Sequence, residues 1–294
     1  MTQDDVTVAD LPSNWGRWGG DDELGTLNLI TDEVRARAAA EVRTGRSVAL
    51  AQVIQPVPLL SGPFAQGTFQ VPPVQQLMSY TGTTRATADL MLVTNHHTSS
   101  THLDALSHQT FEGQVYPGRP LAEAVTPAGV RHGSTATFGA GIVTRGVLID
   151  LAADGPLPAG HAVTPDDFEA AEEREGVRLE SGDALVVRGG WKYLFDGVPM
   201  PGLSEDAVRW MDRRGVSIYA GDIGDAHPPL VPDAPSPLHT VALARLGLPL
   251  IDAAEVDELA AVCAELGRYS FLLSVAPPRI HGMTGIPVNP IAIF

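Results

Sequence analysis

Asn95-His96-His97-Thr98-Ser99-Ser100-Thr101-His102-Leu103-Asp104-Ala105-Leu106-Ser107-His108 is the stretch around which the chain is organised. It holds four of the nine histidines. It follows a short apolar run, residues 90–94, that reads as a strand. Reactive side chains on the loop after a strand are a common arrangement for sites in α/β folds. His102 and Asp104 are two apart, so in an extended segment both side chains point to one face. Imidazole and carboxylate suit a divalent cation such as Zn or Mn. His108, four residues past Asp104, reads as a ligand or as a proton carrier. A polar loop of satisfied histidines is the plainer alternative. Clustering with an acid favours a metal site over it.

The pattern outward from this stretch alternates. Upstream, residues 47–54 read as a strand, and residues 55–73, rich in proline and glycine, as a loop serving as lid or exchanged arm. Thr31-Asp32-Glu33 opens a helix with a capping residue and acids in its first turn, and Gly45 closes it. Asn14–Asn28 sets Trp15 and Trp18 among glycines. Such an arm packs on its own core, on a substrate pocket or on a neighbouring subunit. Residues 1–10 are expected to fray. Downstream, residues 111–118 read as hairpin-like, and residues 146–151, 183–188, 216–220, 248–251 and 269–275 as strands. Thr164-Pro165-Asp166-Asp167 starts a helix with proline at its first position. Ser204 caps a helix running to Arg214, residues 237–246 look helical and carry His239, and residues 255–265 form a helix containing Cys263. Two of the strands end at Asp222 and Asp252. This is an α/β pattern with a partly parallel sheet. With no internal repeat, it is read as a flexible N-terminus over 1–13 and one α/β domain over 14–294, of which 14–80 are the arm and N-terminal elements.

Composition narrows the function. A chain of 294 residues with 44% hydrophobic content can build a substantial core. Its net charge of −16 argues against nucleic acid or an anionic membrane as partner, since no basic patch offsets it. The one cysteine excludes an intrachain disulfide framework. Residues 1–10 are acidic and lack the apolar core of a signal peptide, and no run reaches membrane-span length. A cytoplasmic protein acting on a small molecule is expected. Gly139-Ala140-Gly141 lacks the context of a phosphate loop, and no G-x-S-x-G elbow occurs. His132 and His161 read as surface residues, His227 as solvated in a proline-rich loop, and His281 as a candidate pocket-lining residue.

Several motifs together resemble one family. Thr101–His108 is similar to the T-H-x-D-A-x-x-H signature of the metal-dependent cyclase family, which includes kynurenine formamidases and isatin hydrolases. Asn14–Asn28 resembles the N-W-G-x-W-G-x-D-D-x-x-G-T-L-N opening of its longer members. Residues 111–118, Gly182-Asp183-Ala184-Leu185, Pro201-Gly202-Leu203-Ser204 and the C-terminal residues 282–290 also fit. The resemblance implies an α/β fold built on a swivelling β/β/α unit with a mixed sheet and an N-terminal arm, assembled as a homodimer or homotetramer. It implies His102 and Asp104 as metal ligands, His239 as a distant histidine ligand, and His108 as proton donor and acceptor. Trp15, Trp18, Tyr116, Asp222 and Asp252 stand as candidate substrate-binding residues.

Two departures bear on the metal. The resembling pattern has a histidine four residues before His102, where this chain has Thr98; the adjacent His97 is the candidate to replace it. The pattern's distal glutamate falls at Asp252, one methylene shorter. The expectation is therefore one divalent ion, Mn or Zn, not a pair, and a metal-free site working by acid/base chemistry alone stays open. Water bound to such an ion is acidified towards ~7 and would attack an amide, lactam or ester carbonyl. His108 would carry the proton to the leaving group. Run without water, the same pocket would serve a cyclase or dehydratase of small-molecule biosynthesis. A third reading is a non-catalytic binding protein with a degraded metal site.

Overall fold

A computed structural model describes residues 11–58, 73–80, 87–192 and 197–294. The expected fraying of residues 1–10 and most of the loop expected over 55–73 lie outside the described residues.

The main sheet has nine strands. In chain order its members are β1 (Ser47–Ala49), β5 (His102–Asp104), β6 (Ile142–Asp150), β7 (Ala184–Arg188), β8 (Ile218–Gly221), β9 (Leu250–Asp252), β10 (Ser270–Val275), β11 (Gly285–Pro287) and β12 (Ile291–Ile293). The missing numbers belong to a separate small sheet of β2 (Val57–Pro58), β3 (Val74–Tyr80) and β4 (Thr87–Val93). The spatial order of the main sheet is β1-β12-β10-β6-β7-β8-β9-β5-β11. The central run β6-β7-β8-β9 is parallel, and the flanking pairs are antiparallel. This is the mixed α/β sheet that the alternation implied. Val147–Ile149 and Leu185–Val187 are fully buried, as expected of parallel strands covered on both faces.

Helices begin where capping chemistry allows. In α1 (Asp32–Ala39) the Thr31 hydroxyl accepts from Val34 N–H. α2 (Pro165–Glu175) opens on a Thr164/Asp167 capping box and stops at Gly176, in the left-handed region. α3 (Glu205–Arg214) is capped by Ser204 and stopped by Gly215. α4 spans Asp257–Leu266, and Pro237–Leu246 winds as a π-helix between β8 and β9. The Gly45 stop expected for the first helix is a correction: α1 ends at Ala39, because Ala40, Glu41 and Val42 already bond three residues back in turns.

Two family-like motifs prove to be architectural. Asp183 is fully buried and accepts from Arg37 at 2.9 Å, Arg145 at 2.8 Å and Glu180 N–H at 2.9 Å, tying α1 to β6 and β7. Gly182 precedes it at φ +87°, where a Cβ would press on the Leu29 carbonyl. The tryptophan arm caps the π-helix. Trp15 Nε1 donates to Ala244 O at 2.8 Å, Asn14 N–H to Arg245 O at 3.0 Å and Asn14 Nδ2 to Leu246 O at 2.9 Å. Thr26 N–H donates to Gly247 O at 2.9 Å. These carbonyls close the helix and would otherwise lack donors. Asp22 holds the arm's bend, accepting from Gly25 N–H at 2.8 Å, Asn28 Nδ2 at 2.9 Å and Tyr116 Oη at 3.0 Å.

The substrate-facing role expected of Tyr116 is therefore corrected, and Trp15 and Trp18, expected to share it, are half-buried in the arm. Tyr116 is fully buried with its hydroxyl on Asp22. Trp15 packs edge-on to Phe111, and Trp18 packs against the core with Arg17 over its ring. Asp222 is corrected too. Its carboxylate is occupied by the N–H groups of Gly189, Gly190 and Trp191 at 2.6, 2.8 and 3.2 Å, which shape the turn after β7. His132, expected at the surface, is buried beside Glu23.

Candidate metal centre

β5 carries His102 and Asp104 between β9 and β11. His102 lies opposite Asp252 in β9, so both side chains project from one face of the sheet. Asp104 lies opposite Gly285 in β11. Strand pairing thus brings together three motifs separated by about half the chain.

Asp104 is the centre. It is fully buried, and four imidazoles surround its carboxylate. Oδ1 lies 2.8 Å from His96 Nδ1 and 3.6 Å from His102 Nε2. Oδ2 lies 3.6 Å from His239 Nε2 and 3.9 Å from His108 Nε2. Yet neither oxygen has a well-directed hydrogen bond among the described residues, nor does His96 Nδ1. Burying a carboxylate so is costly unless a cation compensates it. Burial alone would raise the Asp104 carboxyl; His239, His96, His108 and His102 outweigh it and hold it well below the usual carboxylate range.

The second nitrogens of three rings are held by other groups. His102 Nδ1 donates to Ser100 O at 2.7 Å, which leaves Nε2 aimed at the Asp104 side. His96 Nε2 meets the Thr284 hydroxyl at 3.0 Å, which aims Nδ1 there as well. His239 Nδ1 meets Asp225 Oδ2 at 2.7 Å, and the same carboxylate accepts from Leu238 N–H at 2.7 Å and His239 N–H at 3.1 Å. Its Nε2 also meets Asp252 Oδ2 at 3.0 Å. Rings anchored through one nitrogen with the other facing a shared point are the usual arrangement of metal-ligating histidines.

Two trios offer ligand atoms at metal-binding spacing, His96–His102–Asp104 and Asp104–His108–His239. Tetrahedral ligands at about 2.0–2.1 Å from an ion stand roughly 3.3 Å from one another. The 2.8 and 3.6 Å separations in the first trio bracket that value. His96 stacks on His108 with ring centroids 3.6 Å apart, which joins the trios into one surface. His108 is pushed down to about 4, by burial first, with His96 and His239 adding and Asp104 opposing. His239 rises well above the ordinary value: burial opposes this, and Asp252, Asp104 and Asp225 overcome it.

The expected His102, Asp104, His108, His239 and Asp252 do converge here. His97 does not, and this corrects its expected role as a replacement ligand. Its Nδ1 accepts from Ser99 N–H at 3.2 Å and meets Ser99 Oγ at 2.8 Å, and it belongs to neither trio. His96 occupies the place instead. Residues 94–101 follow no strand alternation, so the sequence held no signal for choosing between adjacent histidines. Asp225 and Thr284 were also missed as site residues. Gly285 has a reason within its motif: any Cβ there would overlap the His96 ring.

Comparison with known proteins agrees with this geometry. The Cyclase family model matches residues 50–226. A crystal structure of a novel cyclase superposes with TM-score 0.81 at 31% identity, covering 96% of this chain and 99% of that one. Isatin hydrolase A from Ralstonia solanacearum superposes with TM-score 0.57 at 20% identity, over 84% of this chain and 91% of its own. Isatin hydrolase A from Labrenzia aggregata gives TM-score 0.57 at 20% identity, over 88% and 96%. No match to a curated protein was found. The chain belongs to the Cyclase family and is an enzyme of the hydrolase-or-cyclase kind that this family comprises.

Proposed function

We propose that the chain is a metal-dependent hydrolase of an amide, lactam or ester bond in a small molecule. The observation that carries this reading is the Asp104 carboxylate, fully buried, with both oxygens lacking directed hydrogen bonds among the described residues and faced by four imidazoles. His96, His102 and Asp104 would hold one divalent ion, Mn or Zn. His239 is less suited to serve a second ion, since carboxylates engage both of its nitrogens. When bound, the ion supplies Lewis acidity that polarises a carbonyl and acidifies water.

The residues of the chain do the remainder. His108, one-fifth exposed beside Asp104 and outside the ligand trio, would act as the proton carrier. It takes a proton from the attacking water and returns it to the departing nitrogen or oxygen, so that amide plus water gives carboxylic acid plus amine. Asp225 and Asp252 fix His239 from opposite ends, and the ring so held keeps its charge beside the Asp104 carboxylate.

Isatin, the compound in the structural neighbours' name, is the first lactam to test. Incubation in oxygen-18 water should place one labelled oxygen in the ring-opened or cleaved product. A turned-over substrate whose product carries no label, or loses water, would establish a cyclase or dehydratase instead.

A further inference from the structure

A cavity of about 340 Å³ is lined in part by Asp225, the residue that holds His239. One wall is Ala162 with Ser204 and Glu205 at the start of α3, and the other is the proline-rich segment 225–237. Its volume falls in the range of small-molecule pockets, which are mostly apolar with a few placed polar groups. None of His96, His102, Asp104, His108, His239 or Asp252 lines it. It is therefore not the catalytic cleft.

Its chemistry is one-sided. Pro229, Leu230, Val231 and Pro235 are among its apolar lining residues. Its polar lining residues are Glu205, Asp225, Ser204 and Ser236, and among the described residues no lysine, arginine or histidine lines it. Glu205 Oε1 accepts from Arg209, leaving Oε2 without that partner. A wall of aliphatic carbon with acceptor oxygens, two of its residues being carboxylates already paired with Arg209 and His239, suits an apolar molecule bearing a donor group that can join those pairs, and offers an anion no cationic partner in the lining.

We propose that this cavity is a binding site for a small apolar amine, and that its occupant acts on the metal centre through Asp225. Asp225 is a lining residue of the cavity, and its carboxylate holds His239. An ammonium beside it competes for the lone pairs that accept from Leu238 N–H, His239 N–H and His239 Nδ1. Occupancy then loosens or turns His239 without any contact between the amine and the cluster. The site stands whether or not the cluster hydrolyses anything.

Benzylamine is the probe, with benzyl alcohol and benzoate as neutral and anionic counterparts. Titration calorimetry on the full chain should give saturable binding of benzylamine, at least threefold weaker binding of benzyl alcohol, and none of benzoate. Ala234→Trp, at the exposed rim, should weaken benzylamine at least tenfold, and Glu205→Gln should erase its preference over the alcohol. His108→Ala should leave binding unchanged. In nitrogen-15 spectra the amides of Leu238 and His239 should shift on titration. The proposal is overturned if benzylamine does not saturate, if benzoate binds equally well, or if His108→Ala abolishes binding, which would place the amine in the catalytic cluster. A folded Ala234→Trp variant with unchanged affinity, or unmoved Leu238 and His239 amides, would overturn it as well.

Discussion

His96, not its neighbour His97, meets Asp104, and the reason lies in two residues nearly two hundred positions away. Thr284 binds the far nitrogen of the ring, and Gly285 leaves room for its face. The contacts of His108 are longer: Nε2 lies 3.4 Å from the Gln109 amide and 3.9 Å from Asp104 Oδ2. A ring left so loosely tied can exchange a proton, whereas an anchored one serves better as a ligand. His108→Ala should accordingly lower kcat by about 100–10,000-fold with metal content intact. Asp104→Ala should lose both. Elemental analysis beside steady-state rates checks this; loss of the metal in His108→Ala would make that residue a ligand.

Among the elements, the π-helix Pro237–Leu246 matters most, because it delivers His239. Asp225 holds its first turn and the tryptophan arm holds its last. Trp15→Ala removes a hydrogen bond to Ala244 O and the edge contact with Phe111, and should destabilise the fold by roughly 2–3 kcal/mol. Thermal unfolding measures this, and a variant with unchanged melting temperature would show that the arm does not brace the helix.

This part of the molecule also shows what the sequence could disclose. Helices with capping signals were legible: Thr164-Pro165 and Ser204 mark true starts, and the helix expected to run to Arg214 does end there. So was the convergence of His102, Asp104 and His108, which share one short motif; His239 was expected beside them only from the family resemblance. The arm's purpose was not legible, since a tryptophan among glycines looks alike whether it faces substrate or caps a distant helix. Asp225 was hidden for the same reason. Its target, His239, lies fourteen residues on and meets it only through the turn of the intervening loop.

At the scale of the whole molecule two features stand out. Glu175 is buried, with Oε2 lacking a hydrogen bond, and its carboxyl is pushed up to about 7, by burial first, against the pull of Arg174 and Asp150 N–H. A carboxyl raised above its ordinary value favours the fold while protonated. Its contribution is full below about pH 4.5 and fades as pH rises through 7, a loss of up to about 3 kcal/mol. Asp222, raised by burial to about 6, acts in the same direction. The melting temperature should therefore fall between pH 5 and pH 8, and Glu175→Gln should shrink that fall. Equal falls in both proteins would remove Glu175 from the explanation.

The second feature is the hairpin of β3 and β4, which runs directly towards the histidine cluster. Leu77, Met78, Leu90 and Met91 are all more than half exposed. Leu77 and Met78 are consecutive in the strand, so both faces of the hairpin present apolar surface. We propose that a second copy of the chain covers it. Light scattering should give at least a dimer, and Leu90→Glu with Met91→Lys should give the monomer. A monomeric parent protein would contradict this.

Metal content measured by elemental analysis on three proteins, the parent, His96→Ala and His97→Ala, bears most directly on the buried carboxylate and its ion. The expected result is one divalent ion per chain in the parent, its loss in His96→Ala and its retention in His97→Ala. Two ions per chain in the parent, or an ion that survives in His96→Ala and disappears in His97→Ala, would contradict the assignment of His96, His102 and Asp104 as the metal site.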